Sequence, residues 1–185
     1  MAFSVNEFAS AGLPLGGSRA SLFSVIVDTP NGVPNIGARI SFTCSAASLP
    51  PSVQGVIEVP YFGRKVKIKG NRTFENWTVT ILNDEDFQIR HALEVWSNLL
   101  NSHEANLQDV GFATTAAYRT TAQVTQYAKT GAQVRTYEFV NIWPVNISAI
   151  ELNWETTNAV ETFTCEFAYD YWKPIAPGTT GTFDV

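Results

Sequence analysis

The chain has 185 residues, of which 45% are hydrophobic and 12% aromatic, which excludes a disordered polypeptide and suffices for one domain with its own core. Only 16% of residues are charged and the formal net charge is −5. That balance argues against a tight duplex-DNA binder, whose affinity comes from neutralising phosphates with a basic excess. No apolar run approaches the roughly 18 residues of a helical membrane span, so no membrane association is expected.

Residues 1–19 mix Gly, Ser, Ala and Pro without periodicity, as expected of an N-terminal arm that orders only on assembly. The opening Met-Ala-Phe-Ser-Val-Asn-Glu has neither a basic nor an apolar signal region, so cytoplasmic synthesis without secretion is expected. A strand is predicted over Ala20–Asp28, then a loop over Thr29–Gly37, where Pro, Asn and Gly cluster. Arg39–Ala46 alternates, with Ile40, Phe42 and Cys44 on one side, and predicts a half-buried strand. Leu49-Pro50-Pro51 ends it, and Gln54–Tyr61 is extended up to Pro60. Arg64–Lys69 and Thr73–Leu82 then predict a β-hairpin turning at Gly70-Asn71.

One helix is predicted. Asn83 or Asp84 caps it, Glu85 and Asp86 suit its first turn, and Ile89, Leu93, Trp96 and Leu100 recur at spacings of three and four up to its end near Asn101. A poorly patterned loop, Glu104–Ala117, follows. Strands are predicted over Arg119–Ala128, Val134–Ile142, Ile150–Trp154 and Glu161–Trp172. In the last of these, Phe163, Cys165, Phe167, Tyr169 and Tyr171 share one side. Pro174, Pro177 and Gly178 end the fold. The sum is a mainly β chain: an antiparallel β-sandwich or small barrel with one flanking α-helix. Its expected parts are an arm (1–19), a β-domain (20–172) and a C-terminal tail (173–185). Trp77, Leu93, Trp96, Phe163 and Phe167 are the expected core between sheet and helix.

No catalytic constellation stands out. The chain has no Gly-x-Ser-x-Gly elbow, no His-Glu-x-x-His and no phosphate-cradling glycine loop before a helix. Pairs such as Glu151 and Glu155 are expected by chance among 17 acidic residues. Cys44 and Cys165 are expected to be buried and reduced, and with His91 and His103 they form no zinc spacing. No cofactor, metal or enzymatic activity is expected.

The uneven feature is electrostatic. Arg64, Lys65, Lys67, Lys69 and Arg72 are five of twelve basic residues, packed into nine positions. They fit a nucleic-acid patch, a solvated edge strand protected from aggregation, or a docking surface matched to acid on a neighbouring copy. A separate reading is a carbohydrate-binding sandwich presenting Trp143, Trp154 and Trp172.

Three strings carry a resemblance. They are Gly63-Arg64-Lys65-Val66-Lys67-Ile68 with Asn71-Arg72-Thr73-Phe74-Glu75-Asn76-Trp77-Thr78-Val79-Thr80-Ile81-Leu82-Asn83-Asp84-Glu85; Ile142-Trp143-Pro144-Val145-Asn146 with Glu151-Leu152-Asn153-Trp154; and Thr162-Phe163 through Tyr169-Asp170-Tyr171-Trp172. In order and spacing they resemble the tail tube proteins of contractile-tailed, T-even-type bacteriophages. The resemblance implies a structural subunit whose hexameric rings join their sheets into one inner β-barrel and stack into a tube. Type VI secretion tubes and contractile bacteriocin tubes share that architecture. It also implies partners: further copies of the chain, a sheath protein, a tape measure protein in the lumen, baseplate and terminator proteins, and DNA in passage. The location implied is the phage tail in the virion, built in the host cytoplasm. A tube terminator, a baseplate tube initiator or a secretion-type tube protein would share the fold. Within this resemblance the cluster Arg64, Lys65, Lys67, Lys69 and Arg72, with the segment 46–61, is expected at the ring-to-ring contact.

Overall fold

The computed structural model describes residues 5–175. Of the nine strands among the described residues, seven form two layers that share one long strand, and two form a separate hairpin. After the short helical turns α1 (Val5–Glu7) and Phe8–Gly12, the elements are β1 (Phe23–Val27), α2 (Gly37–Thr43), β2 (Cys44–Ala47), β3 (Val53–Tyr61), β4 (Arg64–Thr73), β5 (Trp77–Leu82), α3 (Gln88–Leu100), α4 (Thr115–Tyr118), β6 (Thr120–Tyr127), β7 (Gln133–Ile147), β8 (Thr162–Ala168) and β9 (Tyr171–Ile175). One layer runs β1-β6-β7-β9 and the other β7-β8-β5-β2, with every pairing antiparallel.

The shared strand β7 is 15 residues long, far beyond the usual five or six. Its bend lies at Asn141, where φ is 61°. Up to Ile142 β7 pairs with β6, and as far as Val140 with β9; from Trp143 onward it pairs with β8. Asp170 holds this corner from the other side. Its carboxylate accepts hydrogen bonds from Arg119 (2.9 Å) and Asn141 (2.7 Å), and its amide donates to the Val140 carbonyl (3.1 Å).

The core lies between the layers and under α3. Trp77 stacks on Phe139 at 4.3 Å between centroids and 23° between planes, joining the two layers. Val79, Ile81, Phe163, Cys165 and Phe167 come from the paired strands β5 and β8. Ile89, Leu93 and Trp96 reach in from α3 at its helical spacing. Trp77, Leu93, Trp96, Phe163 and Phe167 are all buried. The two indole N–H groups find backbone acceptors, Trp77 on Ser48 (2.8 Å) and Trp96 on Tyr118 (3.1 Å).

Several local expectations are corrected. Arg39–Thr43 is helical, not a strand. Ile36 and Ile40, four apart, are both buried, whereas Phe42 is 88% exposed. Asn35 accepts the Gly37 amide at the start of α2 (3.0 Å). The long helix starts at Gln88, because Arg39 binds Asp84 (2.9 Å), Asp86 and Gln88, and Phe87 takes a left-handed turn with φ 51°. The arginine beside Asp86 holds its carboxyl below the usual range. The loop 104–117 carries a 3-10 turn, Val110–Phe112, that buries Phe112. The strand expected over Glu161–Trp172 breaks at Tyr169-Asp170 and changes layer, leaving Tyr171 exposed. The last strand runs to Ile175, so Pro174 sits on an outer strand, where proline is tolerated. The expected tail beyond it, with Pro177 and Gly178, lies outside the described residues. Ile150–Trp154 forms no strand.

Candidate assembly surfaces

The basic cluster sits on a hairpin that leaves the body of the domain. β3 pairs only with β4, as a separate two-stranded sheet. Its turn is Phe62-Gly63, both with positive φ (42° and 80°), the pair of left-handed residues that a two-residue hairpin turn requires. The turn expected at Gly70-Asn71 is instead a bulge inside β4, opposite a register shift between Gln54 and Val56. There the two strands come so close that a Cβ on Gly70 would lie 2.9 Å from the Gly55 carbonyl carbon. Gly70→Val is therefore expected to splay the hairpin at its root while leaving the core intact. Tryptic cleavage within residues 64–72 should then run about tenfold faster, with the main thermal transition unmoved. A shifted thermal transition would instead place Gly70 in the cooperative core.

The hairpin has two unlike sides. Cross-strand pairs Ile57↔Ile68, Val59↔Val66 and Tyr61↔Arg64 share one side; Val56↔Lys69, Glu58↔Lys67 and Pro60↔Lys65 share the other. Apart from Gly55 and Gly70, every residue of both strands is exposed. Lys65 pairs with Glu58 at 2.6 Å. Arg64, Lys67, Lys69 and Arg72 take part in none of the six ion pairs among the described residues.

A second exposed surface lies at the opposite end of the β5–β8 layer. The hairpin returns to the body just before Trp77, which pairs with Phe167; Leu82, at the far end of β5, pairs with Thr162. The loop 148–161 is rooted at that far end. The Asn83 amide donates to the Glu161 carbonyl (2.8 Å), the Asn83 side chain to the Glu161 carboxylate (3.0 Å), and Arg90 to the Ser148 carbonyl (3.0 Å). Between these roots Leu152, Trp154 and Val160 are exposed, Trp154 completely. Among the described residues the layer β1-β6-β7-β9 adds two edges that pair on one side alone, β1 and β9.

Other candidates stay apart. Cys44 and Cys165 are free, and burial pushes both thiols up, Cys44 to about 11, so neither is a reactive thiolate near neutrality. Among the described residues no three His, Cys, Asp or Glu side chains gather as metal ligands. His103 borders a shallow groove with Arg90 and Pro144, and His91 stands on α3. The three tryptophans form no sugar platform. Trp143 packs edge-on against Tyr118, and Trp172 packs on Tyr137 while donating to the Pro51 carbonyl (3.0 Å); Trp154 stands alone on its loop. That Trp154 stands on an exposed loop was hidden in the sequence, because Ile150, Leu152 and Trp154 alternate like a strand.

The chain matches the model of the family described as phage tail tube protein over residues 13–174. It is 31% identical over 157 residues to the tail tube protein gp19 of Enterobacteria phage T4, covering 84% of this chain and 91% of that protein. It is 24% identical over 168 residues to the tail tube protein of Serratia phage KSP90, covering 89% and 93%. Among solved structures, it is similar to the tube terminating cap of the anti-feeding prophage, with a TM-score of 0.62 and 14% identity over 86% of this chain and 91% of that one. It is likewise similar to a chain of the extended sheath–tube complex of an extracellular contractile injection system, with a TM-score of 0.57 and 13% identity over 95% and 99%.

Proposed function

This chain belongs to the phage tail tube protein family, as a structural subunit of the tail, and from that premise we propose how its surfaces build the tube. Copies close into hexameric rings through the edges β1 and β9, and rings stack head to tail through the hairpin β3–β4. Head-to-tail contacts make a ring when the rotation closes and a filament when it does not, so one subunit can do both with different surfaces. The role is architectural, without a catalytic step.

The observation that carries this reading is the hairpin. It is a two-stranded sheet with one apolar side, solvated along nearly its whole length, and such a sheet is marginal in water by itself. Its apolar side and its cations both gain partners when another copy lies against them. Open edges in a layer are an aggregation liability that ring closure removes. The net charge of −5 suits a conduit that must not hold phosphates.

The assembled tube would lie inside a contractile sheath, hold the tape measure protein and then pass DNA, and it would grow in the host cytoplasm between a baseplate and a terminator. The arm 1–19 and the tail from 173 onwards are further contact segments in this reading, attached to the β-domain 20–172. Negative-stain electron microscopy of the concentrated protein tests it. Six-fold rings or hollow tubes are expected. Only monomers, at high concentration and on added baseplates alike, would refute a polymerising subunit.

A further inference from the structure

Resting on the tube reading, we propose that the hairpin of one copy docks on the loop 148–161 and the adjoining turn at Asp84–Glu85 of the copy in the next ring. The two surfaces lie at opposite ends of β5, which is what an axial head-to-tail contact needs. The five steps of β5 separate its ends by about 17 Å, with the hairpin attached at one end and the loop rooted at the other.

They match in apolar character. Ile57, Val59, Val66 and Ile68 line one side of the hairpin, and Leu152, Trp154 and Val160 stand out from the loop. An exposed tryptophan is the side chain that most often anchors an interface, because it buries a large rigid surface. They also match in charge. The hairpin carries Arg64, Lys67, Lys69 and Arg72, which take part in no ion pair among the described residues. The loop and turn carry Glu85, Glu151, Glu155 and Glu161, which likewise appear in none of the six ion pairs. Residues 148–161 contain no lysine or arginine. The apolar contacts supply the adhesion, while the charges set register and repel a hairpin from a hairpin.

The loop suits a socket. Both of its roots are fixed to the layer by the bonds of Asn83, Ser148 and Glu161, and the Asn153 side chain accepts the Glu155 amide (2.9 Å) beside Trp154. Its roots and the turn beside Trp154 are therefore held before docking.

Two variants and a growth assay test the pairing. Leu152→Asp with Trp154→Asp alters the socket; Ile57→Asp with Ile68→Asp alters the hairpin. All four positions are exposed, so each variant should keep the wild-type thermal transition. Each should elongate preformed wild-type tubes at least about tenfold more slowly. A small fraction of either variant mixed with wild-type protein should cap growth, the socket variant at one tube end and the hairpin variant at the other. A socket variant that elongates at the wild-type rate, while the hairpin variant stalls, would overturn this pairing and leave the tube reading standing. Both variants elongating normally would remove the hairpin as well. Wild-type protein that fails to extend any tube would count against the tube reading itself.

Discussion

Trp96→Ala is expected to cost about 3–5 kcal/mol, the usual range for deleting a fully buried indole. The side chain is 0% exposed and lies near Phe167, with ring centroids 6.5 Å apart. It also donates its N–H to the Tyr118 carbonyl, which the substitution leaves without that donor. At about 2–4 °C per kcal/mol for a chain of this size, the thermal midpoint should fall by about 6–20 °C. Trp154→Ala is the matched control. It removes the same indole from a fully exposed position, so stability should change by no more than about 0.5 kcal/mol and the midpoint by about 2 °C at most. A Trp96→Ala loss below about 1 kcal/mol would mean that α3 is not held by this side chain.

The contrast between these two tryptophans shows what the sequence could carry. Trp96 was legible, because Ile89, Leu93 and Trp96 share a helical stripe and a stripe needs something to cover it. The alternations Trp77-Val79-Ile81 and Phe163-Cys165-Phe167 were legible for the same reason, and the two runs pair with each other in the fold. Trp154 belongs to an alternation too, Ile150-Leu152-Trp154, yet no strand forms there. Periodicity records that a side needs cover; it does not say whether the cover lies in the same chain. The misassigned α2 shows the converse. Ile40, Phe42 and Cys44 alternate, but the spacing that decided the structure was Ile36 to Ile40, and the decisive partners of Arg39 lie more than forty positions away at Asp84 and Asp86.

Turn chemistry misled in a similar way. Gly70-Asn71 is the stronger local turn signal, whereas the chain turns at Phe62-Gly63 and uses Gly70 for close approach to Gly55. The hairpin was thus legible, but shifted by one strand. The break at Asp170 was invisible, because its cause is Arg119 and Asn141, brought there by β6 and β7. The cationic half of the candidate site was plain from composition. Its apolar half follows from the corrected register, and the facing surface emerges only once the far end of β5 is known.

Reversing charge at two positions of the hairpin should abolish tube growth without unfolding the subunit. Lys65 and Lys67 lie on the same side as Glu58, on strands that contact the rest of the domain only at their root. In the isolated subunit Lys65→Glu with Lys67→Glu loses one exposed ion pair, worth no more than about 1 kcal/mol. The thermal midpoint should therefore stay within about 4 °C of wild type. In a stacked ring the same change acts at every copy at once. The side that carried Lys65, Lys67 and Lys69 beside Glu58 would carry Lys69 beside three carboxylates, and like charges juxtaposed across an interface cost several kcal/mol. Added salt shortens the reach of such charges to about 8 Å at physiological strength and about 3 Å at 1 M. Growth of the variant should accordingly recover in part as salt rises, while the deficit from apolar substitutions such as Ile57→Asp should not. Normal tubes from the lysine double variant at low salt would show that this side of the hairpin faces solvent in the tube. The cluster would then serve as a guard against sheet-to-sheet aggregation, and axial adhesion would rest on the apolar side alone.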